Sequence, residues 1–389
     1  MTTGNRQPIE KGHFIYDRQL GWRLYPNNTV YLIDAKESSN LFFSTNERGF
    51  RNSSFQTVDD DTPSVLLLGD SAVQGYFLAD DETISSSLGR KIGKNVFNAG
   101  VGGYSTDQEY AVLMELLNIY QFDWVILFFS LNDLEYLDQN QAWGMPKLRY
   151  QISRNQINFE VVNPPTFTSE MTTNSDFEMF DINKSSTYGR QVSLHGSTSN
   201  ISPAIFVRNV LGKTWALLDT LPSPTKLFQL MLSQIEENKY RHFVLGHEKD
   251  YFDHPDEGIP RRQWNLVFQF LDRMRSLTEE QQGQFVVFFN PELAQIVDKD
   301  SVVDYYGNYL TKGDLGEKIV HEVPFRPQWY FLELCTLYEI SCIDPHKRFL
   351  RARNRNSLYF LDDGHWSPFG AELAAEIVAR HIFNYSGEK

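Results

Sequence analysis

Two stretches far apart in the chain hold side chains that could carry out nucleophilic chemistry together. Gly69-Asp70-Ser71 follows directly on the apolar run Val65-Leu66-Leu67-Leu68, and Leu361-Asp362-Asp363-Gly364-His365-Trp366 precedes the last helical stretch. A serine hydroxyl attacks well only when a base removes its proton, and an imidazole oriented by a carboxylate is suited to that task. Asp362-x-x-His365 has a spacing that lets the acid orient the ring, although Asp363 is adjacent and spacing admits either. Each piece alone also has a plain structural reading. Gly, Asp and Ser all favour turns, and a lone Asp-x-x-His serves equally as a turn carboxylate and a helix-capping or packing histidine.

The elements around these stretches decide between the readings. An apolar run such as Val65–Leu68, bounded by glycine, reads as a buried strand of a parallel sheet. Ligands bind beyond the carboxyl ends of such strands, which is where Ser71 falls. Residues 82–93 follow as a helix with Ile84, Leu88 and Ile92 at helical spacing, then a short strand at Asn95–Asn98 and the glycine turn Ala99–Tyr104. Ser105-Thr106-Asp107-Gln108 has a capping-box pattern and opens a helix to about Tyr120. Trp124–Phe129 is a second fully apolar strand, ending at Ser130-Leu131-Asn132-Asp133. After residue 261 the rhythm resumes: a helix over 262–280, a strand at Phe285–Phe289, a helix over 326–338 and a strand at Ile340–Ile343. Ser367-Pro368, an N-cap with proline at the first helical position, opens a last helix to about Phe383. Strands alternating with helices imply βαβ units and a mainly parallel sheet.

Outside this rhythm lie two further regions. Residues 1–63 are polar and turn-rich, with no core of their own, and read as a lead-in packed on the domain. Residues 139–261 form an insertion or lid, too long for a plain loop. Within it Leu148–Ile152 and Ile157–Val162 suggest a hairpin, 163–203 is rich in Ser, Thr, Asn and Pro, and Trp215–Glu236 has helical periodicity. The core is thus divided into 64–138 and 262–389.

Composition narrows the function classes. The net charge of −14 argues against a nucleic-acid partner or a polybasic membrane contact. No apolar window is long enough to span a bilayer, and the N-terminus shows no signal peptide, so a cytoplasmic or otherwise soluble protein is expected. Cys335 and Cys342, on a helix face and at a strand start, read as two buried inert thiols and not as a disulfide. His242, His247 and His254 with Asp250 and Asp253 could be drawn as a metal site, but no compact pair of ligands appears, and no metal is expected. Gly100-Val101-Gly102-Gly103 lacks the endings of phosphate-binding loops. Trp366, beside His365, fits either a pocket wall or packing under the last helix.

Four blocks occur in order: Gly69-Asp70-Ser71, Asn98-Ala99-Gly100-Val101-Gly102-Gly103, Asn132-Asp133, and Asp362-x-x-His365. Together they resemble the SGNH (GDSL-type) hydrolase superfamily. Leu20-Gly21-Trp22 and Asn46-x-x-Gly49-Phe50-Arg51 also resemble segments that precede the core in some members. Gly69-Asp70-Ser71-Ala72-Val73 is not the Gly-x-Ser-x-Gly elbow of α/β-hydrolases. The resemblance implies a three-layer α/β/α, flavodoxin-like fold with a five-stranded, mainly parallel sheet and a large insertion. It implies Ser71 as nucleophile, His365 as base and Asp362 as the orienting acid. The oxyanion hole would be the N–H groups of Ser71 and Gly103 with the side-chain amide of Asn132.

The expected activity is hydrolysis of a carboxylic ester, in an O-acylated sugar, lipid or small metabolite, through an acyl-enzyme on Ser71. No cofactor is needed for that chemistry. An O-acyltransferase using the same triad is the alternative, and a non-catalytic binding module on the same fold is the second. The sequence does not set the oligomeric state.

Overall fold

A computed structural model of the 389-residue chain describes residues 14–33, 40–52, 64–142, 145–163, 177–178, 191–192, 258–297, 326–361 and 364–387. Five strands build the central sheet: β1 (Val65–Gly69), β2 (Val96–Asn98), β3 (Trp124–Phe129), β4 (Gln284–Phe289) and β5 (Ser341–Ile343). Their order is β5-β4-β3-β1-β2, and every neighbouring pair is parallel. This is the flavodoxin-like arrangement, with its switch point between β1 and β3.

The sheet is buried on both faces, which is why its strands read as unbroken apolar runs. Leu66, Leu68, Val125, Leu127, Phe129, Val287 and Phe289 face one side. There they pack against α3 (Thr106–Leu117), α4 (Gly258–Glu280) and α5 (Arg326–Leu337). Leu67, Ile126, Phe128, Val286 and Phe288 alternate to the other side. That side is covered by α2 (Ile84–Ile92) and α6 (Pro368–Gly387). One short helix, α1 (Ser71–Gln74), caps the end of β1. The expected three layers are therefore present, and the sheet is wholly parallel.

The lead-in contributes to this core. Trp22, Leu24, Phe43 and Phe50 are fully buried on the α3–α5 side. Within residues 139–261 the described residues include the hairpin Arg149–Ser153 and Gln156–Asn163. Its Tyr150 and Phe159 pack with Tyr110 of α3 and Phe270 of α4. Lys147, just before the hairpin, forms a buried ion pair with Asp107 of α3. The helix expected at Trp215–Glu236 and the His242–His254 group lie outside the described residues.

One expectation is overturned. Cys335 and Cys342 are joined in a disulfide, not held as two thiols. The tight turn between α5 and β5 folds the strand back along the helix end and brings the two Cα atoms to 6.3 Å, within bridging range. Spacing in the sequence shows neither that turn nor the direction of the two side chains. Among the described residues no helix is long and apolar enough to cross a membrane.

Candidate active site

Ser71 sits at the first position of α1, two residues beyond the carboxyl end of β1. Asp70 caps the helix, its Oδ1 accepting the Ala72 N–H at 2.9 Å. The glycine loop after β2 is laid directly on this corner. Val101 N–H donates to Gly69 O at 3.1 Å, and Asn98 Nδ2 donates to Val73 O at 2.8 Å. Gly102 N–H donates to Gln74 Oε1 at 2.6 Å. Only glycine fits at position 100, since a Cβ there would lie 2.3 Å from the Gln74 backbone nitrogen. The glycine block is thus required by close packing against the serine helix.

From the lead-in come two further supports. Trp22 Nε1 donates to Gly102 O at 3.0 Å, and the Tyr104 hydroxyl donates to Trp22 O. Arg51 is fully buried, paired with Asp80 Oδ1 at 2.9 Å and lying over the Phe43 ring. Its guanidinium donates to the carbonyls of Gln74 at 3.1 Å, Gly75 at 2.5 Å and Leu78. A planar fork of donors is suited to gathering several carbonyls at once. Arg51 so holds the turn that ends α1.

His365 arrives from the other end of the sequence on a narrow turn. Phe360 N–H donates to His365 O at 2.9 Å, and Tyr359 and Trp366 form an isolated antiparallel bridge. Ser367 Oγ caps α6, accepting from Phe369 N–H at 3.2 Å. This turn brings His365 Nε2 to 2.8 Å from Ser71 Oγ. Asp362 and Asp363, between which the sequence does not choose, lie outside the described residues. Trp366 is buried among Phe128, Phe288 and Phe349, so it packs under the last helix and does not wall a pocket.

Gly102, the neighbour of Gly103, passes close to Ser71: a Cβ built on it would lie 3.7 Å from Ser71 Cβ. Asn132 stands after β3, with its Nδ2 3.3 Å from Asp70 Oδ2 and its Oδ1 buried without a partner among the described residues. The structure therefore joins Ser71 to His365 directly, and ties Asn132 to the residue before the serine.

Behind Asn132 lie buried acids. Burial, then Asp70, pushes the Asp133 carboxyl well above the usual range, and burial with Asp133 does the same to Glu109. Glu292, just after β4, is raised to about 7 by burial and by Asp70, against the pull of Leu131 N–H and His365. Arg51 was visible in the sequence only as part of a lead-in segment. Tyr76, which contacts His365, and Glu292 carried no sequence signal, since neither belongs to a block of recognisable spacing. Among the described residues no group of three or more His, Cys, Asp or Glu is placed to hold a metal.

No protein-family model and no curated protein matches the chain. Among solved structures it is similar to the lipase/acylhydrolase from Enterococcus faecalis, at 13% identity and a TM-score of 0.35, over 82% of this chain and 95% of that one. It is also similar to a G-D-S-L family protein from Desulfitobacterium hafniense DCB-2, at 11% identity and a TM-score of 0.35, over 81% and 97% of the two chains.

Proposed function

We propose that this protein is a serine esterase that hydrolyses a carboxylic ester of a sugar, lipid or small metabolite. The observation that carries this reading is the 2.8 Å contact between Ser71 Oγ and His365 Nε2, at the carboxyl edge of the sheet. In the first step Nε2 takes the hydroxyl proton while Oγ attacks the ester carbonyl. The tetrahedral oxyanion is met by the N–H groups of Ser71 and Gly103 and by the Asn132 amide. The first N–H groups of a helix have no acceptor within it, so the N–H of Ser71 is open to this role. Each such donor is worth about 100- to 1,000-fold in rate.

Collapse of the intermediate breaks the carbon–oxygen bond to the alcohol, which leaves with the proton held by His365. Water then attacks the acyl carbon as it gives a proton to the same nitrogen, and the C–Oγ bond breaks with that proton passed to Ser71 Oγ, which frees the acid and restores the serine. Asp362 is assigned to orient the imidazole, through the resemblance of its block. The Asn132 NH2 carries two donors, so the long 3.3 Å contact of Nδ2 to Asp70 Oδ2 leaves one N–H for the oxyanion.

The test is release of p-nitrophenol from acetyl, butyryl and octanoyl esters, with fluorophosphonate labelling and Ser71→Ala as control. Turnover and labelling that both vanish in the variant are the expected result. Labelling of Ser71 without turnover would replace hydrolysis by acyl transfer to an alcohol. Absence of labelling in the unaltered protein would overturn the catalytic reading.

A further inference from the structure

Tyr76 lies face to face with the imidazole of His365, the ring centroids 5.5 Å apart and the planes 19° from parallel. Phe77 meets the same imidazole edge-on, at 5.7 Å and 79°. Phe77 is itself braced between Tyr76 at 4.9 Å and Phe360 at 6.2 Å.

The backbone explains why residue 76 reaches the histidine. Gly75 adopts a left-handed conformation (φ 69°, ψ 58°), which ends α1 after a single turn. The N–H groups of Gly75 and Tyr76 both return to Ser71 O, at 3.0 and 3.3 Å. Arg51 then grips the carbonyls on either side of the turn, those of Gln74 and Gly75. The Tyr76 ring is thereby fixed relative to Ser71 by a few residues of backbone, whereas His365 comes from a distant turn.

We propose that Tyr76 is a positioning residue for the proton transfer between Ser71 and His365. Its ring seats the imidazole with Nε2 on the serine hydroxyl, and its negative π face favours the imidazolium that forms when the proton moves. A cation over an aromatic face is stabilised by the ring quadrupole. The step itself is that of the proposed esterase, on which this inference rests. Among the described residues the ionisable groups at this corner include Asp70, beside Ser71, and Glu292 after β4, whose carboxyl feels the imidazole's charge. Both are kept in the variants below, as are Asp362 and Asp363, the sequence neighbours of His365.

The experiment is fluorophosphonate labelling of Ser71 in the full chain across pH, which reads serine activation without the natural substrate. Unaltered protein, Tyr76→Phe and Tyr76→Leu are compared, with circular dichroism and thermal unfolding of each. Tyr76→Leu is expected to slow the maximal labelling rate about tenfold, with little change in reagent binding. The acidic limb of its rate–pH profile moves to lower pH, because an imidazolium without the ring gives up its proton more readily. Tyr76→Phe keeps both the rate and the limb.

A folded Tyr76→Leu that labels at the unaltered rate with an unmoved limb would overturn the proposal. So would an effect confined to reagent binding, or a Tyr76→Phe as slow as Tyr76→Leu. If Tyr76→Leu does not fold, Tyr76→Met takes its place under the same criteria. Failure of the esterase reading is a separate result, no labelling in the unaltered protein.

Discussion

The serine and histidine sides of the site are held by different forces. Ser71 sits in a lattice of backbone hydrogen bonds: the Asp70 cap, Val101 N–H on Gly69 O, Asn98 on Val73 O, and Arg51 on the carbonyls behind it. His365 has its own backbone turn, but its ring is held by neighbouring rings, Tyr76 and Phe77, and its successor Trp366 is packed against Phe128, Phe288 and Phe349. Polar clamps fix a backbone in one place. Ring contacts fix a side chain only as long as the rings stay where they are. The Ser71 corner is therefore the frame, and the His365 ring is fitted to it.

The largest effect tests the frame. Arg51→Ala leaves the buried Asp80 carboxylate without its ion-pair partner and strips three carbonyls of their donor. Removing one partner of a buried pair costs about 3–5 kcal/mol, so urea unfolding should show a loss of that size, with Ser71 labelling lost alongside. Arg51→Lys recovers only part of it, since an ammonium lacks the planar fork. Equal stability of Arg51→Ala and unaltered protein would dissolve the contrast between the two sides.

Gly100→Ala comes next. A Cβ 2.3 Å from the Gln74 nitrogen and 2.6 Å from the Val73 carbonyl carbon forces the glycine loop away from α1. Overpacking of this kind costs about 1–3 kcal/mol. Labelling should fall more steeply than stability, since the displaced atoms belong to the serine helix.

On the histidine side, Trp366→Phe removes ring volume among Phe128, Phe288 and Phe349. A loss of about 1–2 kcal/mol in thermal unfolding is expected from the cavity. Labelling slows as well, because the residue directly follows His365. A slower rate at unchanged stability would sharpen the comparison, showing that packing beside His365 helps to place its ring.

The last effect is one of pH. Glu292 holds its proton up to about 7 in the fold, burial being the first cause, whereas an ordinary glutamate ionises near 4.5. Between those values the folded state binds more protons than the unfolded one, so stability falls as pH rises, and this contribution levels off above 7. Glu292→Gln removes the ionisation but keeps an oxygen for the Leu131 N–H. Its melting temperature should drop less between pH 5 and pH 8 than that of the unaltered protein. An equal drop in both would locate the pH dependence among the other buried acids, Asp107, Glu109 and Asp133.

Much of this architecture was legible in the sequence. Strands buried on both faces must be apolar throughout, so Val65–Leu68 and Trp124–Phe129 announced themselves. The cap at Ser367-Pro368 and the glycine block after β2 were readable because local backbone geometry and close approach restrict residue type there. Ser71 and His365 stood out as candidates because one follows β1 closely and the other precedes α6. The Cys335–Cys342 bridge could not, since bridging depends on a distance that only the turn between α5 and β5 sets.

The alternating elements and the parallel sheet were thus readable from the chain alone, with Ser71 and His365 marked as candidates at the sheet's carboxyl edge. Periodicity, caps and obligatory glycines are local constraints, and local constraints are written in neighbouring residues. Only the tertiary structure decided that Nε2 and Oγ lie 2.8 Å apart, that Arg51 ties the lead-in to the serine turn, and that Tyr76 lies on the imidazole. Those contacts join residues from separate parts of the chain, and no pattern of spacing encodes a meeting that depends on how the whole core packs.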